Sequence, residues 1–307
     1  MKNKPSRKFL LCVFCTICAA TIHGYGAAPA LTEDHQKIQE MYQEKYLEPG
    51  FLGGYINWGY WTKNKPHRIS NQERIDASKE LYRRVFKAAK ISKKDSVLEV
   101  GCGKGRGMKL LFEEVHPQKA VGLDLNSRFI SLAKQESPDS RISFVEGDAC
   151  DLQFAEEFSK LICVEASQHF LDMDSFLLSA NKSLKKGGNI TIAGFFTKQD
   201  SDLEYLKDKI ATIKNNIDLV RNINDIKKKM IDSGFKNVRV ISIGSHVIPQ
   251  YEDWLKQVSY ENMWAKEWKT AFEKGAIDYY IITAEKVNTA MQITAFKNAD
   301  LTPKKRP

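Results

Sequence analysis

Short apolar runs bounded by turn residues recur along the middle of the chain, at 96–100, 120–123, 142–145, 161–164 and 189–193. Between them, apolar residues fall at helical spacing near 105–116, 127–136 and 173–184. Runs with no polar alternation fit strands covered on both faces. The pattern therefore predicts an α/β protein with a mostly parallel sheet and helices on both sides. A sheet of this kind binds small ligands beyond the carboxyl ends of its strands. Upstream, a helix is predicted over 32–46, capped by Thr32 with Glu33 and Asp34 in its first turn. The stretch FLGGYINWGYW (51–61) follows, then a helix over about 70–90 with Ile75, Leu81, Val85, Phe86 and Ala89 on its apolar face. After Phe196 the pattern is helical and charged to about Ser233. A strand near 237–243, helices near 251–274 and a final strand over 277–286 complete the body.

The string SVLEVGCGKGRG (96–107) carries the most chemistry. A strand runs into Gly101, Gly103, Gly105 and Gly107, then a helix. Glycine serves where the backbone needs positive φ or must approach a ligand closely. The dinucleotide fingerprint G-x-G-x-x-G fails, because Arg106 stands where its third glycine would be. Glu99 lies inside the strand before the loop. A carboxylate there is costly to bury alone, would repel a pyrophosphate, and suits a ligand bearing an ammonium group. Asp124 ends the second strand and can accept from ribose hydroxyls. Asp148, in EGDA after the third strand, can accept from an adenine amino group, with the Ala149 amide beside it. Amine, ribose and adenine in that order describe S-adenosylmethionine.

With these residues the chain resembles a class I S-adenosylmethionine-dependent methyltransferase, in the type 11-like group that includes small-molecule, natural-product, sterol and tocopherol methyltransferases. The resemblance spans about 50–286. LICVEASQHFLD (161–172) is similar to the family's fourth-strand motif, placing Glu165, Ser167 and His169 at the pocket. SLKKGGNITIA (183–193) is similar to its xPGG turn and fifth strand, with Lys186 in place of the proline. NWGYW (57–61) resembles the family's N-terminal lid, which implies Tyr60 over the methionine end of the cofactor. MIDSGFKNVRV (230–240) and IDYYIITAEK (277–286) resemble the last helix and strands. The resemblance implies a Rossmann-like seven-stranded sheet whose last strand is antiparallel. It also implies S-adenosyl-L-methionine as cofactor, bound by Tyr60, Glu99, Gly101, Cys102, Gly103, Gly105, Asp124, Leu125, Asp148, Ala149 and Glu165.

Transfer of a methyl group from a sulfonium mainly needs in-line positioning. A hydroxyl acceptor also benefits from a base. His169 is the candidate, because an unperturbed imidazole with pKa ~6.5 suits that role. Gly194 stands just after the fifth strand, where some relatives have an acid, so acid- or metal-assisted catalysis is not expected, and no metal site is predicted. His246 is a further candidate to face the acceptor. Tyr251, Trp254, Tyr260, Trp264 and Trp268, with Phe195 and Phe196, form a candidate aromatic wall for an apolar or amphiphilic acceptor.

Charge refines the picture. The net charge is +9, yet Lys2, Lys4, Arg7 and Lys8 supply four units of it and the stretch 289–307 supplies three. The nearly neutral body argues against a nucleic-acid partner. A basic start, a 14-residue apolar run over 9–22 and Ala28-Pro29-Ala30 have the layout of a secretory signal peptide; a membrane anchor through 9–22 is the alternative. Export, or cytoplasmic residence if that segment is inert, follows from this reading. Cys102, Cys150 and Cys163 remain after it, without metal or redox spacing. The expected organisation is a signal or anchor (1–30), a helical lid (31–92), a methyltransferase domain (93–288) with helical insertions at about 198–233 and 250–274, and a basic tail (289–307). The leading expectation is an enzyme methylating oxygen or carbon of a small molecule. The alternatives are a cofactor-fold binding protein without turnover and a macromolecule methyltransferase.

Overall fold

The protein is described by a computed structural model over residues 31–43, 50–62, 68–137, 139–259 and 267–287. The expectations for 1–30 and 289–307, and for Tyr260 and Trp264, lie outside the described residues.

Helix α1 (Glu33–Met41) starts in a capping box, with Thr32 and His35 each bonding the other's backbone amide. Helix α2 (Asn71–Ala89) starts in another, between Ser70 and Glu73. Alternating units follow: β1 (Ser96–Val100), α3 (Arg106–Glu114), β2 (Lys119–Asp124), α4 (Ser127–Glu136), β3 (Ile142–Glu146), β4 (Phe158–Val164), α5 (Met173–Ser183) and β5 (Leu184–Thr197). The rest comprises α6 (Ser201–Lys209), α7 (Ala211–Lys214), β6 (Arg221–Asn222), α8 (Ile223–Asp232), β7 (Phe235–Ser242), α9 (Ile248–Gln257), α10 (Trp268–Glu273) and β8 (Ile277–Lys286).

The sheet order is β3-β2-β1-β4-β5-β8-β7; β8 runs antiparallel to both β5 and β7, and the other pairs on this path are parallel. These seven strands match the expected architecture. The two-residue β6, which pairs with β5, was not expected inside the helical insertion. β5 also starts earlier than the apolar run predicted. It pairs at Leu184, shifts register past Phe158, and resumes at Asn189, so the Gly187-Gly188 turn is an irregularity within the strand.

Alternate strand residues enter two separate cores. Val97, Ile162, Ala193 and Phe195 pack under α2, α3, α4, α9 and α10, while Leu98, Val100, Leu161, Cys163 and Ile192 pack under α5 and α8. Burial on both faces explains the continuous apolar runs. Glu99 lies in phase with Val97 and so faces α2. No helix among the described residues is long and apolar enough to cross a membrane.

Candidate active site

The parallel register brings the carboxyl ends of β1, β2, β3 and β4 to one edge. Val100 pairs with Leu123, Asp124 with Glu146, and Val164 lies beside Ala193. The amides of Gly101 and Cys102 both donate to the Leu123 carbonyl, at 2.7 and 3.0 Å, so the glycine loop is tied to β2. Gly101 has φ +74°, and a Cβ there would meet that of Ala166 at 2.2 Å. Gly105 caps α3 at φ +73° against Phe144 and Ala133. Both positions therefore require glycine.

A cavity of about 120 Å³ opens at this edge. Among the positions expected to hold the cofactor, Gly101, Gly103, Asp124, Leu125, Asp148, Ala149 and Glu165 line it, and so does His169. Asp124 is oriented by two backbone amides: Gly103 donates to Oδ2 at 2.8 Å and Asn126 to Oδ1 at 2.9 Å. Burial raises its pKa, opposed by those two bonds. Each oxygen keeps a lone pair for a further donor, as a diol would need. Asp148 uses Oδ1 to cap the turn at Cys150.

Four expected positions stand elsewhere. Glu99 is fully buried behind the glycine loop. Its Oε1 accepts from the Tyr82 hydroxyl at 2.9 Å, and its Oε2 is buried with no partner. Gly107 makes room for Tyr82, whose ring would lie 2.2 Å from a Cβ there. Burial pushes Glu99 up to about 8, the Tyr82 bond opposing it. Cys102 and Gly105 support the loop from beneath, with the Cys102 thiol close to Gly122. Tyr60 does not line the cavity. It stacks on His246 at 4.6 Å with Arg84 over its ring at 4.4 Å, and its amide bonds Ala77. That packing turns Tyr60 and His246 away from the cavity, and Ile56 takes the wall instead. The NWGYW segment is clamped by two buried groups. The Arg74 guanidinium bonds the Gly50 and Asn57 carbonyls, and both Glu165 oxygens accept from the Trp58 amide, at 2.9 and 3.1 Å. Glu165 also accepts from the Tyr279 hydroxyl at 3.1 Å, and burial pushes it up to about 8.

A smaller cavity of about 20 Å³ adjoins the first and shares Tyr42, Ile56, Glu165 and His169 with it. Phe51, Trp58, Phe195 and Trp268 supply its apolar walls, with Gln168 and Asp218. The expected aromatic wall is thus met only in part. Tyr251 and Trp254 are buried supports, Tyr251 stacking on Trp58 at 4.5 Å and Trp254 bonding the Gly50 carbonyl. Phe196 points into the opposite core, and Ser167 is buried beneath the site. Tyr42, Gln168, Trp58 and Asp218 were not anticipated as a group, because nothing in local periodicity links them.

His169 stands between the two cavities. Its Nδ1 is 2.9 Å from the Ile217 carbonyl, which only accepts, so Nδ1 carries the proton of the neutral ring. Nε2 then has a lone pair, and the Tyr42 hydroxyl donates to it at 2.7 Å. Among the described residues no cluster of three or more His, Cys, Asp or Glu is arranged to hold a metal.

The orphaned Glu99 oxygen, the aligned Asp124 carboxylate and the glycine cradle fit S-adenosylmethionine. Residues 98–192 match the family described as "Methyltransferase domain". The chain carries an S-adenosylmethionine-dependent methyltransferase domain. It is 29% identical over 224 residues to erythromycin 3''-O-methyltransferase of Saccharopolyspora erythraea, a match covering 68% of this chain and 71% of that protein. It is 33% identical over 162 residues to fatty-acid O-methyltransferase of Mycolicibacterium smegmatis, covering 52% of this chain and 58% of that protein. Among solved structures, geranyl diphosphate C-methyltransferase from Streptomyces coelicolor A3(2) superposes with TM-score 0.72 at 14% identity. That match covers 84% of this chain and all of the other. At that identity it speaks for the fold.

Proposed function

We propose that this methyltransferase acts on a hydroxyl of a small, apolar or amphiphilic acceptor, with His169 as general base. The carrying observation is the placement of one imidazole between two adjoining cavities, with Nδ1–H committed to Ile217 and the Nε2 lone pair directed at a hydroxyl. Tyr42 shows that an O–H group fits against Nε2 at hydrogen-bond distance. The cofactor supplies an electrophilic methyl group when bound. In this reading Glu99, Asp124 and Asp148 hold its amine, ribose and adenine in turn, and Gly101 and Gly103 let the backbone approach. Helix α1 and the 50–62 stretch act as the lid: Tyr42 follows α1 directly, and Gln39 within it bonds the Leu125 carbonyl at 3.1 Å. Phe51, Trp58, Phe195 and Trp268 favour an apolar partner over a highly charged one. Two curated relatives are named for O-methylation of erythromycin and of a fatty acid, which supports this acceptor class.

The test is a panel of hydroxylated lipids, polyketides and fatty acids incubated with S-adenosylmethionine, read by mass spectrometry for a gained methyl group. The expected result is a methyl ether or ester, with turnover falling about 10²–10⁴-fold in His169→Ala while S-adenosylhomocysteine affinity holds. Undiminished turnover in that variant would remove His169 as base. Methylation at carbon alone would remove the hydroxyl reading. For the N-terminal segment we propose export, tested by sequencing the mature N-terminus from fractionated cells; an intact Met1 in the cytosol would refute it.

A further inference from the structure

An acid stands behind His169. Asp218 lies between α7 and β6, and its Oδ1 is 3.7 Å from His169 Nδ1, with both side chains almost enclosed. The Nδ1 proton is already bonded to the neighbouring Ile217 carbonyl, so Asp218 acts on the ring by charge. The loop holding it is closely tied down. The amides of Ile217 and Asp218 both donate to the Thr212 carbonyl, at 2.8 and 3.1 Å. The Leu219 amide donates to the Gln168 carbonyl at 2.7 Å, and the Arg221 guanidinium bonds the carbonyls of Ser167, Leu219 and Phe170. The 167–170 turn and the 217–221 loop are thereby stitched together, which fixes the distance between ring and carboxylate.

We propose that Asp218 is a positioning residue for His169, which orients the ring and stabilises the imidazolium formed during turnover. The proposal rests on the His169 reading above. In the step, the acceptor O–H bond breaks and its proton goes to Nε2. The oxygen's electron pair forms the new O–CH₃ bond. The S–CH₃ bond breaks with its pair kept on sulfur, leaving S-adenosylhomocysteine, and water later removes the proton from the ring. A neutral ring thus becomes a cation in an enclosed site. The titratable groups around it are Tyr42 just after α1, Asp124 at the end of β2, Glu165 just after β4, and Asp218. Burial favours the neutral forms of Tyr42 and Glu165. Both Asp124 oxygens are engaged by backbone amides. Asp218 is the acid at ion-pair distance from the ring. Burial raises its own pKa, and the His169 charge opposes that rise.

The experiment needs no acceptor. Histidine labelled with ¹⁵N in the ring is followed by NMR across pH in the full chain saturated with S-adenosylhomocysteine, and the His169→Gln spectrum identifies the signal. An opposite charge at this range shifts a titration by about one unit or more. In Asp218→Asn the midpoint of the His169 ring is expected to fall by about one unit, with S-adenosylhomocysteine affinity unchanged. Asp218→Glu is expected to recover most of the shift. An unmoved midpoint in Asp218→Asn overturns the proposal. If that variant does not fold, the wild type decides. The ¹³C signal of the Asp218 carboxyl is expected to respond at the His169 midpoint, and its indifference there overturns the proposal equally. Failure of the base reading shows separately, as undiminished turnover in His169→Ala.

Discussion

With Glu99 holding the cofactor's amine, as proposed above, cofactor binding is expected to be coupled to proton release. Its carboxyl is buried, one oxygen bonded to Tyr82 and the other without a partner, and burial pushes it up to about 8. At pH 7 about one molecule in ten then carries the charge. An ammonium group arriving at Oε2 selects that ionised tenth. Binding therefore expels a proton, and affinity rises about tenfold per pH unit below 8, or about 1.4 kcal/mol per unit. The assay is calorimetric titration with S-adenosylhomocysteine at pH 6 and 7, in two buffers of different ionisation heat. Glu165 and Asp124 are also buried acids near the cavity, so the decisive quantity is the difference between wild type and Glu99→Gln. Wild type is expected to release close to one more proton per ligand than the variant. The variant also loses a charge-assisted hydrogen bond, about 1.5–3 kcal/mol, which weakens binding roughly 10- to 150-fold. Equal proton release in the two proteins would show that Glu99 does not meet the amine. The one-to-one reading of strand-end acids against cofactor parts would then fail at its first member.

Three further outcomes follow from the same geometry. Gly101→Ala combines a left-handed backbone, about 1–2 kcal/mol, with a methyl group driven into Ala166, about 1–3 kcal/mol; calorimetry is expected to show a Tm lower by several degrees, and an unchanged Tm refutes the tight loop. Arg74→Met strips the Gly50 and Asn57 carbonyls of their buried donor, at a cost of about 2–4 kcal/mol, and protease cleavage within 50–62 should accelerate while the sheet stays intact. Glu99 and Glu165 both have folded-state pKa values raised to about 8 by burial. The stability their protonated forms contribute is full below about 4.5 and lost as pH rises through 8. Urea denaturation of the ligand-free protein is therefore expected to give an unfolding free energy lower at pH 8 than at pH 5.5 by a few kcal/mol, and saturating S-adenosylhomocysteine should narrow the difference. Asp139 and Asp172, whose values are lowered by their hydrogen bonds, act below that window.

The two halves of the site differ in how far local sequence order reveals them. A parallel strand covered on both faces must be apolar along its length, so an acid within it or at its end stands out. Glu99, Asp124 and Asp148 stood out for that reason, and the structure puts Asp124 and Asp148 at the cavity and Glu99 behind the glycine loop; the glycines stood out because their φ and close contacts exclude side chains. Orientation within an irregular segment has no such signature. NWGYW has no period, and which of its residues faces inward is decided by distant partners. Glu165 takes the Trp58 amide, Arg74 takes the Asn57 carbonyl, and Ala77 takes the Tyr60 amide. Those three bonds leave Ile56 and Trp58 at the cavities and put Tyr60 against His246. The His169 side behaves likewise. Tyr42 and His169 are hydrogen-bonded although 127 residues apart, and Asp218 joins them from an insertion whose charged helices look like solvent-facing surface. The glycine-loop side of the cavity is thus specified by what a buried strand forbids, the His169 side by which loops the sheet edge brings together. Exchange of α1 or of the 217–221 loop between related chains should therefore change the acceptor while leaving the cofactor site intact.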